Sequence, residues 1–447
     1  MSSGSSPLSI LSNKAKEQIK PYYYRYQSYS ANREYKQKQA IVPENRVFKK
    51  EDAPLHVLII VIDALRPDFI PDLPMDFNHA IAPAPWTFPS ITSLHTGLRP
   101  NDHGSVVHTG TEENEFAIPP QTDSYPYFPL DFEAMGYNTY AGCGFPVPFN
   151  AIRGWYQTHR CYPDTSACHV IDDYRSWRSE RERTAAYLHL GDLHAPVDAP
   201  DEYLQRYDVD LSLPDLRHIR RYTTDFDGND PECQRYRKEK VKLHEAALEY
   251  VSDQLRELLG EVRDDTVIVV TGDHGEGLWE HQNKDRQITD SRPNYCFGHG
   301  GTPFDVVARV PMACSIPSEG SLVPDGGWTS LRDIPATLLD IVSRDRTCDG
   351  YSWCDTVPED RPAICEGARY GVERKCVYRG KYKLIQSRAD GVTLTAQIEN
   401  GQEKFVELEE PLISNLREDL PDSWDTTANT GSVSNFTEEQ LQALGYK

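Results

Sequence analysis

Three residues of the chain have the types and positions that a divalent-cation site requires. Asp63 follows the apolar run HVLIIVI, and Asp273-His274 follows a second run, TVIVVTG. If both runs are parallel strands of one open sheet, their carboxyl ends face the same crevice and the three side chains converge there. Two carboxylates and an imidazole can hold a divalent cation beside a substrate. Each residue alone has a simpler alternative, since a strand-end Asp often caps a helix and a single His often packs in the core.

A threonine is positioned to act as a nucleophile beside such a cation. Thr87 precedes a predicted helix from about Pro89 to Gly97, because Pro suits a first helical turn and Gly suits a C-terminal cap. The hydroxyl would lie near the positive end of the helix dipole. A metal would lower its pKa and hold it for attack on an oxyanion group. The alternative is that Thr87 is only the N-cap of this helix.

Three buried strands and one long helix must position these residues. The strands are predicted at His56–Asp63, Ala185–Leu190 and Thr266–Thr271, which are continuous apolar runs without alternation. The helix is predicted at Lys238–Leu259, with Gly260 as its stop. Strands that alternate with helices predict a mostly parallel sheet covered on both faces.

The remaining segments are predicted from their turn and strand patterns. Tyr127 to Tyr137 is predicted as a helix that leads into a strand. Residues 141–168 are rich in Gly, Pro and aromatics, which favours an irregular surface segment. After about residue 345 short strands joined by tight turns predict a small antiparallel sheet. Its strands are Ala363–Ala368, Lys375–Gln386, Thr393–Ile398 and Lys404–Leu408, and a last helix covers Glu438–Leu444.

Composition excludes several classes of protein. The net charge is -22, which argues against nucleic acid as the main partner. No apolar run is long enough to span a bilayer and the first twenty residues contain no signal-peptide pattern, so we expect a cytoplasmic protein. Ten cysteines without CxxC spacing are expected to be reduced thiols rather than zinc ligands.

The N-terminal arm differs in charge from the rest of the chain. Residues 1–50 carry ten Lys and Arg against three Glu. Such an arm could rest peripherally on an anionic membrane surface or on a partner. Alternatively, it packs on the acidic body of its own protein. The arm also contains a tyrosine cluster, Tyr22, Tyr23, Tyr24, Tyr26 and Tyr29.

Six motifs, in order, resemble the sulfatase branch of the alkaline phosphatase superfamily. They are LIIVIDALRPD, TFPSITSLHTGLRPNDHG, HLGDLHAP, VTGDHGEG, FGHGGTPFDVVARVP and DIPATLLDIV. The resemblance implies an α/β fold of the alkaline phosphatase type, with a mostly parallel sheet between helices and a smaller C-terminal antiparallel sheet. With the basic arm at 1–50, the resemblance implies a catalytic domain at 51–345 and an α+β subdomain at 346–447.

The resemblance implies metal ligands at four matching positions. Asp63 resembles the first metal ligand of the family, and Asp273 and His274 resemble the pair on the later strand. Thr87 occupies the position of the nucleophile, which also contacts the metal. Because one ligand is an imidazole, Mn²⁺ or Zn²⁺ is favoured, with Mg²⁺ or Ca²⁺ still possible.

Two further histidines match substrate-contacting positions. His194 resembles the family's substrate-contacting histidine, and His299 stands where sulfatases have a lysine. Both could neutralise oxyanion charge or protonate the leaving group. A second metal would have to use Asp192 with His194 and His299, but their spacing fits poorly, so we expect one metal.

Departures from the sulfatase pattern narrow the chemistry. Sulfatases convert a Cys or Ser to formylglycine, which a Thr at position 87 cannot become. Ile91 replaces the arginine of the signature, Ala64 replaces a second aspartate, and no GKWHLG segment is present. The site is therefore similar to those of family phosphodiesterases, phosphonate hydrolases, and phosphoglycerol or phosphoethanolamine transferases.

The favoured hypothesis is a metal-dependent hydrolase of a phosphate ester, preferably a diester, that acts through Thr87. Its substrate would be a small molecule or the ester of a glycan or lipid headgroup. Three alternatives stay open at this stage: a sulfatase without formylglycine, a transferase, and a non-catalytic protein that binds an anionic ligand. The sequence does not determine the oligomeric state.

Overall fold

The structure is a computed structural model that describes residues 13–39, 49–106, 127–162, 166–218, 228–289, 297–343 and 349–424. The predicted terminal helix Glu438–Leu444 lies outside these residues.

Eleven strands lie in the described chain up to residue 343. They are β1 (His56–Ile62), β2 (Asn78–Ile81), β3 (Asn138–Cys143), β4 (Thr158–Cys161), β5 (Thr184–Leu190), β6 (Thr266–Gly272), β7 (Gly277–Leu278), β8 (Phe297–Gly298), β9 (Arg309–Ile316), β10 (Gly320–Ser321) and β11 (Thr329–Ser330). The central sheet has the order β11-β2-β9-β6-β1-β5-β3-β4, with β10 beside β9, and β7 and β8 form a separate ribbon.

The centre of this sheet is parallel, as predicted. Strand β1 pairs in parallel with β5 on one side and β6 on the other. Strand β9 is antiparallel to both β6 and β2. The three predicted core strands are confirmed to within one residue at each end, and every residue in them is buried.

Helices cover both faces of the sheet. They are α1 (Asn13–Gln39), α2 (Thr87–Thr96), α3 (Pro100–His103), α4 (Phe128–Ala134), α5 (Pro146–Ala151), α6 (Ala167–Arg178), α7 (Asp201–Arg206), α8 (Pro231–Val262), α9 (Gln282–Asp285), α10 (Asp305–Ala308), α11 (Ile334–Val342) and α12 (Glu410–Glu418). None of the described helices combines the length and apolar character needed to cross a membrane.

Strand β1 explains why a buried parallel strand shows no polar alternation. Val57, Ile59 and Val61 point into the core beneath α2, α5 and α11. Leu58 and Ile60 alternate with them and enter the opposite core, beneath α6 and α8. Because successive side chains leave a strand on opposite faces, a strand covered on both sides needs an apolar residue at every position. The predicted α/β fold class is confirmed.

Two local predictions were wrong. Helix α8 does not stop at Gly260 but continues to Val262, because one glycine costs a helix only about 1 kcal/mol and the buried apolar face extends beyond it. Residues 141–168 are not an irregular surface excursion. They contain α5, which has Pro in its first turn, and the edge strand β4, and their aromatics Trp155 and Tyr156 are buried.

The C-terminal region forms the predicted antiparallel sheet. Its strands, adjacent in chain order, are β12 (Ala363–Cys365), β13 (Lys375–Arg379), β14 (Tyr382–Ser387), β15 (Val392–Glu399) and β16 (Gln402–Phe405). Asn400 and Gly401, which join β15 and β16, have φ angles of 50° and 72°. Positive φ angles at both residues of a two-residue hairpin turn give the turn the same twist as the strands that it joins. Helix α12 packs on β13 and β14.

Candidate active site

Asp63 and Asp273 lie side by side because the register of two central strands brings their carboxyl ends together. Ile62 of β1 pairs with Gly272 of β6, and each aspartate is the next residue of its chain segment. Both carboxylates are completely buried. Oδ1 of Asp273 accepts hydrogen bonds from the backbone N–H groups of Ala64 and His274, at 3.3 and 3.0 Å. The predicted convergence of the two strand ends is therefore present.

Glycines permit the close packing behind these carboxylates. A Cβ on Gly275 would lie 2.0 Å from the carbonyl oxygen of Val306, and one on Gly272 would lie 2.8 Å from Cβ of Leu65. The whole Gly-Asp-His-Gly segment is buried. Glycine is required here by the close approach of neighbouring chain segments, not by a left-handed conformation.

Thr87 is the first residue of α2 rather than its cap. Trp86 occupies the N-cap position, in extended conformation, and its side chain makes no capping hydrogen bond. The alternative that Thr87 is merely the N-cap is therefore wrong, and the helix begins two residues before the predicted start. The Thr87 hydroxyl donates a hydrogen bond to Oδ2 of Asp63 at 3.2 Å. It also lies 3.2 Å from Nε2 of His274.

A side chain in the first turn of α2 fixes this helix against strand β6. The hydroxyl of Ser90 donates a hydrogen bond of 2.7 Å to the carbonyl oxygen of Asp273. Ser90 is fully buried, as is every other residue of α2. The position of Thr87 is thus set by packing and by a polar contact to the strand that carries Asp273.

The tautomer of His274 follows from its neighbours. Nδ1 lies 2.8 Å from the carbonyl oxygen of Gly275, and a carbonyl can only accept, so Nδ1 carries a proton. In the neutral ring the lone pair of Nε2 therefore faces the Thr87 hydroxyl. Burial alone would lower the pKa of His274, but the charges of Asp273 and Asp63 raise it. Burial and the nearby Asp273 raise the pKa of Asp63 well above its usual range.

His189 is a site residue that the sequence reasoning missed. It lies on β5, where it pairs with Val61 of the adjacent β1, and it is fully buried. Its Nε2 is 2.8 Å from Oδ2 of Asp63, and its Nδ1 is 2.6 Å from the hydroxyl of Tyr187. Burial lowers the pKa of His189 to about 4, so the ring is neutral at neutral pH. The one signal in the sequence was its position near the carboxyl end of a predicted strand, and that position alone does not show that the ring reaches Asp63.

The donors around Asp63 fit a cation. Potential ligand atoms of Asp63, His189 and Asp273 all lie within 4.8 Å of one another. Oδ1 of Asp63 and Oδ2 of Asp273 are buried without a hydrogen-bond partner among the described residues. Buried carboxylate oxygens without partners are costly, and a divalent cation between them would satisfy both. The cluster therefore has the charge and the donor types of a metal site.

The two histidines predicted to contact substrate lie in the same cluster. The ring centroid of His299 is 4.2 Å from that of His274 and 5.4 Å from that of His194. His194 also stacks on Phe145, with centroids 5.0 Å apart. Nδ1 of His194 donates to the carbonyl oxygen of Ala195 at 2.7 Å, and burial lowers the pKa of this histidine to about 3. His194 is therefore neutral, with its proton on Nδ1.

Glu276 is a second residue that the sequence reasoning missed, although it lies in the DHGEG run. Its Oε2 is 3.4 Å from Nδ1 of His299, and the side chain is buried. Asp192, considered for a second metal, has Oδ1 directed to the backbone N–H of Ala167 at 3.1 Å. That oxygen of Asp192 is therefore already hydrogen-bonded to the first residue of α6.

The C-terminal region closes one side of the site. The backbone N–H of Gly300, next to His299, donates to the carbonyl oxygen of Pro85 at 2.6 Å. The backbone N–H of Arg369 donates a hydrogen bond of 2.7 Å to the carbonyl oxygen of Gly300. The guanidinium of Arg369 lies 4.8 Å from the ring centroid of Trp86. A buried cation thus lies over the residue that immediately precedes Thr87.

Comparisons with known proteins agree with this geometry. The family model described as Sulfatase matches residues 73–295, which include Thr87, His194, Asp273 and His274. The comparison with curated proteins gave no match.

Solved structures share the fold at low sequence identity. A 2-O GAG sulfatase has a TM-score of 0.58 at 16% identity, over 82% of this chain and 90% of that one. A putative sulfatase from Bacteroides thetaiotaomicron has a TM-score of 0.57 at 15% identity, over 82% and 90%. The phosphonate monoester hydrolase of Agrobacterium radiobacter has a TM-score of 0.56 at 14% identity, over 77% and 89%.

These likenesses establish the fold, and the family model covers most of the segment that builds the cluster. Together with the buried Asp and His donors at the carboxyl edge of the sheet, they indicate a Sulfatase domain over residues 73–295, within a fold that the chain shares with sulfatases and a phosphonate monoester hydrolase.

Proposed function

We propose that the chain is a metal-dependent hydrolase that cleaves a phosphate ester, with a preference for diesters, through Thr87 as nucleophile. The observation that carries the proposal is the position of the Thr87 hydroxyl, 3.2 Å from both Asp63 and His274. A threonine that served only the helix would bond to its own backbone, as Thr92 does to the carbonyl oxygen of Phe88. Thr87 instead faces the buried acidic cluster.

The cluster supports a metal-assisted reaction. A divalent cation bound there, Mn²⁺ or Zn²⁺ by donor type, would lower the pKa of the Thr87 hydroxyl and offset negative charge on the substrate. Asp63, His189 and Asp273 would hold it, with His274 adjacent. Asp63 also accepts the hydrogen bond of Thr87, so this carboxylate orients the hydroxyl for attack.

The protein groups account for every proton in the proposed reaction. Thr87 passes its proton to Asp63 as the bond from Oγ1 to phosphorus forms. The bond from phosphorus to the leaving oxygen breaks, and that oxygen takes a proton from His299. Water then attacks the phosphorus and passes one proton to His299, which restores that ring. The bond from phosphorus to Oγ1 of Thr87 breaks, this oxygen takes back the proton held by Asp63, and a phosphate monoester is released. An acceptor alcohol in place of water would make the same site a transferase.

His299 suits the role of proton donor better than His194. The carboxylate of Glu276, 3.4 Å from Nδ1 of His299, stabilises the protonated ring. His194 has its one proton engaged with the carbonyl of Ala195 and is neutral. We therefore assign His194 to substrate contact rather than to proton donation.

A singly charged substrate fits this site best. Two buried carboxylates repel a dianionic phosphate monoester more strongly than a monoanionic diester. A phosphonate monoester is likewise a monoanion, and one structural neighbour is described as a phosphonate monoester hydrolase. A sulfate ester is also a monoanion, and the family model and two neighbours bear the name sulfatase. Direct cleavage of a sulfate ester by Thr87 is therefore the second candidate.

A substrate panel tests these proposals. Four nitrophenyl substrates would be assayed: a sulfate ester, a phosphate monoester, a phosphodiester and a phosphonate monoester. Each would be tested with Mn²⁺, Zn²⁺, Mg²⁺ and Ca²⁺, using wild type and Thr87→Val. Thr92→Val is the matched control, since this buried threonine lies on the same helix. We expect the fastest turnover with the phosphodiester and a loss of turnover in Thr87→Val only. Faster sulfate cleavage would favour the second candidate, and metal binding without any turnover would favour a non-catalytic binding protein.

A further inference from the structure

Helix α1 has one face buried against its own protein. Tyr24, Ala31 and Tyr35 are at most 6% exposed and recur at helical spacing. This face packs along the edge strand β4 of the central sheet. The hydroxyl of Ser28 accepts a hydrogen bond of 3.1 Å from the backbone N–H of Cys161, at the end of that strand. For this face of α1, the alternative that the arm packs on its own protein is therefore correct.

Polar contacts fix the rotation of the helix. The side-chain oxygen of Asn32 accepts a hydrogen bond of 2.7 Å from the backbone N–H of His159. Glu34 forms an ion pair of 2.8 Å with Arg153. Because these contacts lie on both sides of the buried face, the opposite face of α1 is held outward.

The outward face carries a stripe of large aromatic side chains. Tyr22, Tyr26 and Tyr29 are 71%, 63% and 65% exposed, although tyrosine is usually at least half-buried in a folded chain. With Ile19, which is 38% exposed, they follow the three–four–three spacing that puts side chains on one side of a helix. Three exposed tyrosines in one line form a contiguous surface rather than scattered exposure.

Basic side chains continue and flank this stripe. Arg33 and Lys36 extend the same spacing after Tyr29, Arg25 lies beside it, and all three are exposed. The sequence of α1 contains seven Lys and Arg against two Glu, in a chain whose net charge is -22. The helix that presents the tyrosines thus carries a net positive charge in an otherwise acidic protein.

We infer that this aromatic–basic face of α1 binds the surface of an anionic phospholipid bilayer, with the helix lying parallel to the membrane. Tyrosine rings are favoured at the headgroup level, where one end of the ring is apolar and the other is hydrated. Arginine and lysine beside them are attracted by anionic lipids. Contact between the same faces of two copies would instead bring like charges together. The inference is independent of the chemistry proposed for Thr87.

Vesicle cosedimentation tests the inference. The wild-type chain would be mixed with vesicles of phosphatidylcholine alone or with an equal part of phosphatidylglycerol. We expect binding only to the anionic vesicles, weakening as salt is added. Each basic residue near such a surface changes affinity about fivefold, so the combined variant Arg25→Gln, Arg33→Gln and Lys36→Gln should bind about 100-fold more weakly.

Matched variants separate the face of α1 from general charge. Replacing the three exposed tyrosines by glutamine should also remove binding, since the helix former glutamine keeps α1 but not its aromatic surface. The control replaces three exposed arginines elsewhere, Arg235, Arg263 and Arg388, by glutamine and should bind like wild type. Thermal unfolding and circular dichroism check that each variant is folded.

Several results would overturn the inference. It fails if the wild type does not bind anionic vesicles, or if the α1 variants bind as tightly as the control. It also fails if light scattering shows a dimer that the α1 variants abolish while no chain binds vesicles, because the stripe would then be a contact between copies.

Discussion

The hydroxyl of Thr87 donates a hydrogen bond of 3.2 Å to the carboxylate of Asp63, across a separation of 24 positions in the chain. One residue follows a buried strand and the other begins a buried helix, so the contact depends on the whole α/β core. It brings the proposed nucleophile to the centre of a cluster of acidic and imidazole donors.

Replacing His189 should weaken metal binding. Its Nε2 lies 2.8 Å from Asp63, so the ring either binds the cation directly or orients the carboxylate that does. Loss of such a group typically lowers metal affinity 10- to 100-fold, so we expect roughly that change for His189→Gln. Titration calorimetry of the metal-stripped protein with Mn²⁺ measures it without reference to activity.

His169→Gln is the control for this measurement, because His169 is an exposed residue of α6. Asp273→Asn should lose Mn²⁺ binding more severely than His189→Gln, since it removes a charged donor. Unchanged affinity in both site variants would show that the cation does not bind in this cluster.

Two glycine substitutions should have opposite effects on stability. Gly260 lies inside α8. Apart from its chain neighbours and the nearby backbone of the helix itself, no atom of the described residues lies within 4 Å of the place that a Cβ would take, so Gly260→Ala should raise the free energy of unfolding by about 0.5–1 kcal/mol. Gly275→Ala would place Cβ 2.0 Å from the oxygen of Val306 and should destabilise the fold beside the site. Urea unfolding of both variants provides the comparison. A stable Gly275→Ala protein would contradict the close packing described behind Asp273.

Buried histidines should make the protein less stable in acid. Burial lowers the pKa of His95 to about 3, below the value near 6.5 of an unfolded chain. Between these pH values the unfolded state binds a proton that the folded state does not, so stability falls as the pH falls. The loss for this one group is about 1.4 kcal/mol per pH unit well below pH 6.5.

Denaturant unfolding at pH 7 and pH 5 measures this dependence. In His95→Gln, the unfolding free energy should change less between the two pH values than in wild type. The decrease should equal the contribution of His95 described above. Thr92→Val, which changes the same buried helix without removing a titratable group, should leave the difference unchanged. An equal pH dependence in wild type and His95→Gln would mean that His95 is already protonated in the folded protein.

The sequence predicts the core elements because their signals are local. The runs that contain Ile59 and Val269 are apolar at every position, which only strands covered on both faces require. Since both end in acidic residues, the sheet edge and its site could be predicted as well. Signals of this kind do not depend on distant partners.

Other site residues depend on tertiary contacts that no local pattern reveals. His189 lies within an apolar run, and its approach to Asp63 appears only once β5 is placed beside β1. Gly275 resembles a turn glycine in sequence, yet it is required by the backbone of Val306. Gly260 resembles a helix stop, but packing of the neighbouring Leu258 and Val262 continues the helix.

The central claim is that Thr87 forms the covalent intermediate, and one measurement tests it most directly. The metal-loaded protein would be mixed with a phosphodiester, quenched in acid during the first turnover and mapped by peptide mass spectrometry. We predict a phosphoryl ester on Thr87, none in Thr87→Val, and a rate in that variant reduced about a thousandfold or more. Turnover that persists in Thr87→Val, or a phosphoryl group found on a different residue, would contradict the account.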